Sequence, residues 1–357
     1  TSDHSASTPP RSGLARPRRS RACWPELGSE GYPTGRADAP ARRWRCGKAA
    51  GERPIVRGQV NVEIAKGLDD AIALAAADPD ADLLAGGTDL MVEINFGRRR
   101  PKAIVAIDRV PELRELSVPR GWQGAQPSAT GGDGQVRMGA GVTYSRMLVE
   151  DAGSVALREA ARTVGSPQIR NAGTIGGNLG TCSPAGDTLP VLAALDATVV
   201  LRSASGERRV PFVEFMTGPK RSVRRPGEVI VAAEWAEAGP AQTFMKAGTR
   251  NAMVIAIASL ALVVDRARRR VGVGLGSCGP TILRASEAEA FAAGVLDEAG
   301  WERASRPSDA ACAEFGRLVA AAARPIDDVR GTAAYRRHVL GVMASRALAR
   351  VAGQGAT

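Results

Sequence analysis

Two glycine pairs, set among short hydroxyl residues and aspartates, carry the chemistry legible in this 357-residue chain. The first lies in Leu84-Ala85-Gly86-Gly87-Thr88-Asp89, the second in Thr174-Ile175-Gly176-Gly177-Asn178, which runs on through Cys182 to Asp187. Glycine lacks a Cβ and tolerates positive φ, so such pairs let backbone N–H groups approach an anion or a planar ring closely. Residues 82–94 pass from a short apolar strand through Gly86-Gly87 into a helix-like pattern opening at Thr88 or Asp89, whose free N–H groups would point at an anion. Residues 169–187 show no continuous apolar periodicity and are expected to form a loop shaped around a phosphorylated cofactor. Either segment alone also fits an ordinary strand-to-helix turn. Their pairing favours the ligand.

The residues that are scarce narrow the chemistry further. His4 and His338 are the two histidines, so the core between them offers none for a His-based triad or a His-rich metal site. The five cysteines, Cys23, Cys46, Cys182, Cys278 and Cys312, form no CxxC pair and no even disulfide framework, which suits a reducing cytoplasm. Cys182 reads as a small packed side chain. The net charge of +11 is unevenly spread: residues 1–57 hold twelve Lys and Arg against five Asp and Glu, or +7 of the total. That segment is rich in Pro, Arg, Gly and Ser, and residues 1–54 are expected to be a disordered basic tail or sequence upstream of the true start. Arg16–Arg21 resembles a twin-arginine export signal but lacks the apolar stretch that should follow. The longest apolar run, 252–264, falls short of the ~20 residues of a membrane span and reads as a buried core segment.

Around the glycine motifs the periodicity predicts the elements that hold them. Residues 65–77 have helical spacing, 83–85 and 103–107 read as strands, and a polar glycine-rich loop is expected at 121–135. A strand at 136–141 and a helix over 145–162 precede the long glycine segment; a helix at 189–195 and strands at 197–201 and 229–234 follow it. Beyond 240 come an alternating strand at 271–275 and amphipathic helices at 286–294, 309–323 and 331–352. Gly274-Leu-Gly-Ser-Cys-Gly279 matches GxGxxG literally, with Asp297 about twenty positions on. The glycines, however, continue backward through Val271-Gly-Val in strand alternation, and Gly279-Pro280 stands where a helix should open, so a glycine-bearing strand and turn is expected.

The motifs Ala85–Leu90, Arg170–Asn178 and Ser183–Asp187, with Gly279–Ala285 and Arg324–Arg337, resemble the FAD-binding medium subunit of molybdenum hydroxylases of the xanthine dehydrogenase and carbon monoxide dehydrogenase type. The resemblance implies an α+β fold: a two-subdomain FAD-binding domain of the vanillyl-alcohol-oxidase/PCMH type at 55–238 (subdomains 55–113 and 114–238), then a smaller α+β domain at 239–357. It implies FAD bound by Leu84, Ala85, Gly86, Gly87, Thr88 and Asp89 and by Thr174, Ile175, Gly176, Gly177 and Asn178. Asp187, Ile230 and Lys246 match family positions beside the flavin. It further implies a large molybdopterin-binding partner, a small iron–sulfur partner, electrons passing through FAD to NAD or another acceptor, and a cytoplasmic dimer of heterotrimers. No catalytic side chain and no metal ligand is expected in this chain. Cys182 departs from the pattern, standing where Ala is expected.

Two rival readings remain open at this level. A self-contained flavin reductase or oxidase would need its own acid–base residue, for which Tyr144, Glu93 or Arg170 could serve. A nucleic-acid-binding protein driven by the basic tail would need aromatics interleaved with its arginines, and aromatics make up 4% of the chain without such a pattern.

Overall fold

Three sheets follow from the apolar runs, and the helices between them set the site. In the computed structural model, which describes residues 60–119, 134–150, 152–303 and 305–353, the first sheet is parallel. It contains β1 (Asn61–Ile64), β2 (Asp82–Leu84) and β3 (Ala103–Ala106) in the order β1-β3-β2. Helix α1 (Leu68–Ala77) joins β1 to β2 and buries Leu68, Ala71, Ile72 and Ala75, the i, i+3, i+4, i+7 face. Helix α2 (Leu90–Asn95) joins β2 to β3 and buries none of its residues.

The second sheet runs β4-β5-β10-β6-β7, every neighbouring pair antiparallel. Its strands are β4 (Leu116–Ser117), β5 (Gln135–Gly139), β6 (Thr198–Ser203), β7 (Gly206–Pro211) and β10 (Val229–Ala236), with a ribbon of β8 (Met216–Gly218) and β9 (Arg221–Ser222) intervening in sequence. Central β10 is buried from Val229 to Trp235, so it reads as a continuous apolar run broken by Glu234. Arg137 on β5 and Arg209 on β7 both pair with that carboxylate, which lets it lie inside.

Between β5 and β6 lie α3 (Tyr144–Val149), α4 (Val155–Thr163), α5 (Pro167–Ala172), α6 (Ile175–Thr181) and α7 (Leu189–Ala194); the single turn α8 (Phe212–Phe215) follows β7. Two expectations are corrected here. The helix expected over 145–162 is two helices, because the chain turns through Gly153 at φ +62° before Ser154 caps α4 through Leu157 N–H. The segment 169–187 is largely helical instead of a loop. Ser166 caps α5, Pro167 sits in its first turn, and Thr174 caps α6. Helices of six and seven residues are too short to display a 3.6-residue apolar period.

The third sheet is an antiparallel meander of β11 (Gln242–Ala247), β12 (Ala258–Asp265), β13 (Arg270–Gly276) and β14 (Leu283–Arg284). Leu260, Leu262 and Val264 pack with α9 (Ser286–Ala299), α10 (Asp309–Ala322) and α11 (Ala333–Ala352), while Ala261 and Val263 join the core that includes α7. Burial on both faces makes β12 apolar throughout. The apolar run therefore becomes core only from Ala256; Met253 and Ile255 before it are exposed, a third correction to the sequence reading. The GxGxxG match lies on β13 and the turn after it, as expected. A Cβ on Gly272 or Gly274 would overlap a backbone carbonyl of α7, at Ala194 or Pro190, so these glycines serve helix-on-strand packing. Residues 1–54 lie outside the described residues, as does most of the glycine-rich loop at 121–135.

Arg336 locks α11 to this sheet from a buried position, donating to Ile257 O at 3.0 Å, Ser277 O at 2.7 Å and Asp328 Oδ1 at 2.5 Å. Hydrogen bonds from Arg330, and then from Arg336, hold the Asp328 carboxyl well below the usual range. A depressed folded value stabilises the fold above the unfolded value of 3.8 and is lost as pH falls below it. Asp328→Asn is expected to lose about 2 kcal/mol at pH 7. Thermal denaturation of both proteins from pH 7 to pH 2 should show the difference shrinking below 3.8, and a constant difference would rule out this source.

Candidate functional site

A cavity of about 710 Å³ opens where the first two sheets and β11 meet, and both glycine motifs lie on its wall. That volume suits a small-molecule cofactor. Every residue expected at the site lines it except Ile175, whose side chain is fully buried in the core.

The glycines bring the two motifs together by removing side chains between backbones. A Cβ on Gly86 would overlap the Ala172 carbonyl at the end of α5, so the turn after β2 rests directly on the second motif. A Cβ on Gly176 would stand 2.5 Å from Ala140 Cβ and 2.6 Å from Ala140 O. That approach allows Gly176 N–H to donate to Ala140 O at 2.8 Å and Ile175 N–H to Val142 O at 3.1 Å, stitching α6 to the chain leaving β5.

This changes what each motif offers a ligand. The N–H groups of Ile175, Gly176 and Gly177 are already engaged, the last with Thr174 Oγ1 at 2.9 Å, so the second motif contributes close approach in place of free donors. The N–H groups of Gly86, Gly87, Thr88 and Asp89 have no partner among the described residues, and Gly87 adopts φ +68°. A row of unspent donors at a cavity wall is an anion cradle.

Across the site, Lys246 on β11 donates from Nζ to Asp187 Oδ2 at 2.5 Å and to Thr163 O at 3.2 Å. Both charged side chains are less than a tenth exposed, 8% and 6%. Burial lifts the Asp187 carboxyl above its usual range, opposed by Lys246 and by the Thr163 hydroxyl at 3.0 Å. Asp187 Oδ1 is buried and has no donor, so a ligand N–H would complete it. Ile230 on β10 lies under α6, with Cδ1 3.8 Å from where a Cβ on Gly180 would stand. Tyr144 is buried at the wall, and burial followed by the nearby Asp187 carboxylate pushes its phenol up, which keeps it protonated.

Sequence reasoning missed the cations of the β8–β9 ribbon. Lys220 pairs with Glu93 and lies 3.6 Å from Asp89 Oδ2, and Arg224 reaches the wall while donating to Glu228 O at 2.8 Å. Nothing in Lys220–Arg225 separates these two from an ordinary solvated basic run, because only the ribbon's return to the end of α6 selects them: Lys220 N–H donates to Cys182 O at 3.0 Å. Cys182 caps α6 at φ +48° and directs its Sγ to Leu179 O; burial pushes its thiol up to about 12, which suits a packed side chain. No helix among the described residues is long and apolar enough to cross a membrane.

The donor row, the buried ion pair and the orphaned Asp187 Oδ1 together fit a ligand that carries both an anionic group and a hydrogen-bond donor. Comparison with known proteins agrees. Residues 58–234 match the FAD binding domain in molybdopterin dehydrogenase, and residues 243–351 match the CO dehydrogenase flavoprotein C-terminal domain. The chain is 31% identical over 295 residues to the 6-hydroxypseudooxynicotine dehydrogenase complex subunit alpha of Paenarthrobacter nicotinovorans, covering 80% of this chain and 92% of that protein. It is 34% identical over 197 residues to the nicotinate dehydrogenase FAD-subunit of Eubacterium barkeri, a match spanning 52% of this chain and 62% of that protein. Among solved structures, a chain of carbon monoxide dehydrogenase from Hydrogenophaga pseudoflava, in a form lacking the Mo-pyranopterin moiety, superposes with a TM-score of 0.68 at 26% identity, covering 81% of this chain and 96% of that one.

Proposed function

The chain belongs to the family of FAD-binding subunits of molybdenum hydroxylases, and from that premise we propose that it is the electron-transfer subunit of such an enzyme complex. In this reading a large partner carries molybdopterin and hydroxylates the organic substrate, and a small partner carries iron–sulfur clusters. FAD, when bound here, supplies a carrier that can take electrons singly and release them in pairs, to NAD or another acceptor. The complex would be a dimer of heterotrimers in the cytoplasm. The FAD-binding domain is proposed to span 55–238 and the C-terminal domain 239–357.

This chain's own residues bind and orient. The N–H groups of Gly86 to Asp89 would hold the pyrophosphate, and the α5–α6 segment, held close by Gly176, would form the facing wall. Ile230 supplies an apolar floor, and the Lys246–Asp187 pair presents a buried polar edge to the ring. Tyr144 keeps its proton and serves as a packed part of the wall. The observation that carries the reading is the convergence of the unspent donors and the buried ion pair on one cavity.

Titration of the full chain with FAD should quench flavin fluorescence at one equivalent and stabilise the fold against heat by mass action. Absence of both effects would sink the assignment. Adding NADH to the loaded protein then tests the acceptor: bleaching of the visible flavin band supports NAD, and a band bleached by dithionite but untouched by NADH excludes it.

A further inference from the structure

Helix α4 runs along the free edge of β11, and side chains bridge the two at three levels. Ser154 Oγ donates to Gln242 Oε1 at 2.5 Å, Glu159 meets Thr243 and Phe244, and Thr163 meets Lys246. β11 is an edge strand paired only with β12, so its outward N–H groups need partners. Glu159 supplies the middle one: Oε2 accepts from Phe244 N–H at 2.7 Å and from the Thr243 hydroxyl at 2.9 Å. Its Oε1 accepts from Arg350 near the end of α11 at 2.8 Å, and Arg350 also donates to Thr243 Oγ1 at 3.2 Å.

We propose that Glu159 is a positioning residue for the cofactor site: by clamping the edge of β11 to α4, it sets the level at which Lys246 reaches Asp187. The inference rests on the FAD reading above. Glu159 stands one helical turn before Thr163, and Phe244 stands two residues before Lys246, so one rigid connection aligns the next. Thr163 offers Lys246 its carbonyl and Asp187 its hydroxyl at once. A slip of β11 along α4 would draw Nζ away from both acceptors and leave the Asp187 carboxylate without its cation.

The test measures FAD dissociation constants by fluorescence quenching in the full chain, with and without Glu159→Ala, in two backgrounds. In the native background Glu159→Ala is expected to weaken FAD binding at least tenfold and to shift the visible flavin band. In the Asp187→Asn, Lys246→Met background, where no ion pair remains to be placed, the same change should weaken binding less than twofold, since a purely positional effect disappears with its object. Glu159→Gln, whose amide oxygen still accepts from Phe244 N–H, should recover binding to within threefold of native. Thr243→Val, which removes one donor and keeps the backbone bonds, carries the same two-background comparison should Glu159→Ala fail to fold, with about threefold loss expected in the native background only. Equal losses in both backgrounds, or an unchanged dissociation constant and flavin band in the native one, would overturn the proposal. Failure of the unmutated chain to bind FAD would overturn the functional reading instead.

Discussion

Gly86→Ala is expected to lose at least ~3 kcal/mol of stability and to abolish FAD binding, the largest effect of any single methyl group at the site. The added Cβ would overlap the Ala172 carbonyl oxygen and carbon, which belong to backbone and not to a flexible side chain. That backbone has little room to yield. Gly173 N–H is bonded to Ile169 O at 2.7 Å, and Gly173 O accepts from Tyr144 N–H at 3.1 Å, so the residue that follows the clashing carbonyl is held through both its N–H and its carbonyl. Relief would come by swinging the Gly86–Asp89 turn off α5, which would also dismantle the proposed anion cradle. Gly294→Ala, in the middle of α9 with nothing within 4 Å of the new Cβ, is the matched control and should stabilise by about 0.5–1 kcal/mol. Denaturant melts of the two variants with FAD titrations check the contrast, and a stable, FAD-binding Gly86→Ala protein would refute the packing account.

Lys246→Met is expected to destabilise the protein by about 3–5 kcal/mol near neutral pH, because it strands a buried carboxylate. Burial already lifts the Asp187 carboxyl, and the Lys246 ammonium opposes that rise by its charge and its hydrogen bond. Without the ammonium the folded-state value rises further above the unfolded 3.8. The sign then follows from proton uptake: between the two values the folded state holds the extra proton, so stability falls as pH rises through that interval. The deficit of Lys246→Met should be largest at high pH and should shrink as pH is lowered toward the unfolded value. Asp187→Asn in the same protein removes the stranded charge and should restore most of the loss at pH 7. Melting temperatures of the single and double variants across pH decide this, and a deficit independent of pH would show that the ion pair is not its origin.

The sequence by itself determined the residue types and the family: glycine where backbones must touch, no histidine in the core, and two separated motifs whose resemblance to a known family implied FAD. It also made several strands legible, because burial on one face or both writes itself as alternation or as a continuous apolar run, as in β13 and β10, while the run that holds β12 read only as core. It left the interior of 169–187 unread, since α5 and α6 are defined by the hydroxyl caps of Ser166 and Thr174 and are too short for a period to show. Tertiary structure alone decided which donors remain free. Gly86 and Gly176 look alike in sequence, yet Gly176 N–H is consumed by Ala140 O while Gly86 N–H has no described partner, a difference made by segments far apart in the chain. It alone joined Lys246 to Asp187, 59 positions away, and put Glu159 against the edge of β11. Periodicity reports how each element meets the core, whereas the hydrogen-bond accounting of a site depends on which elements the fold brings side by side.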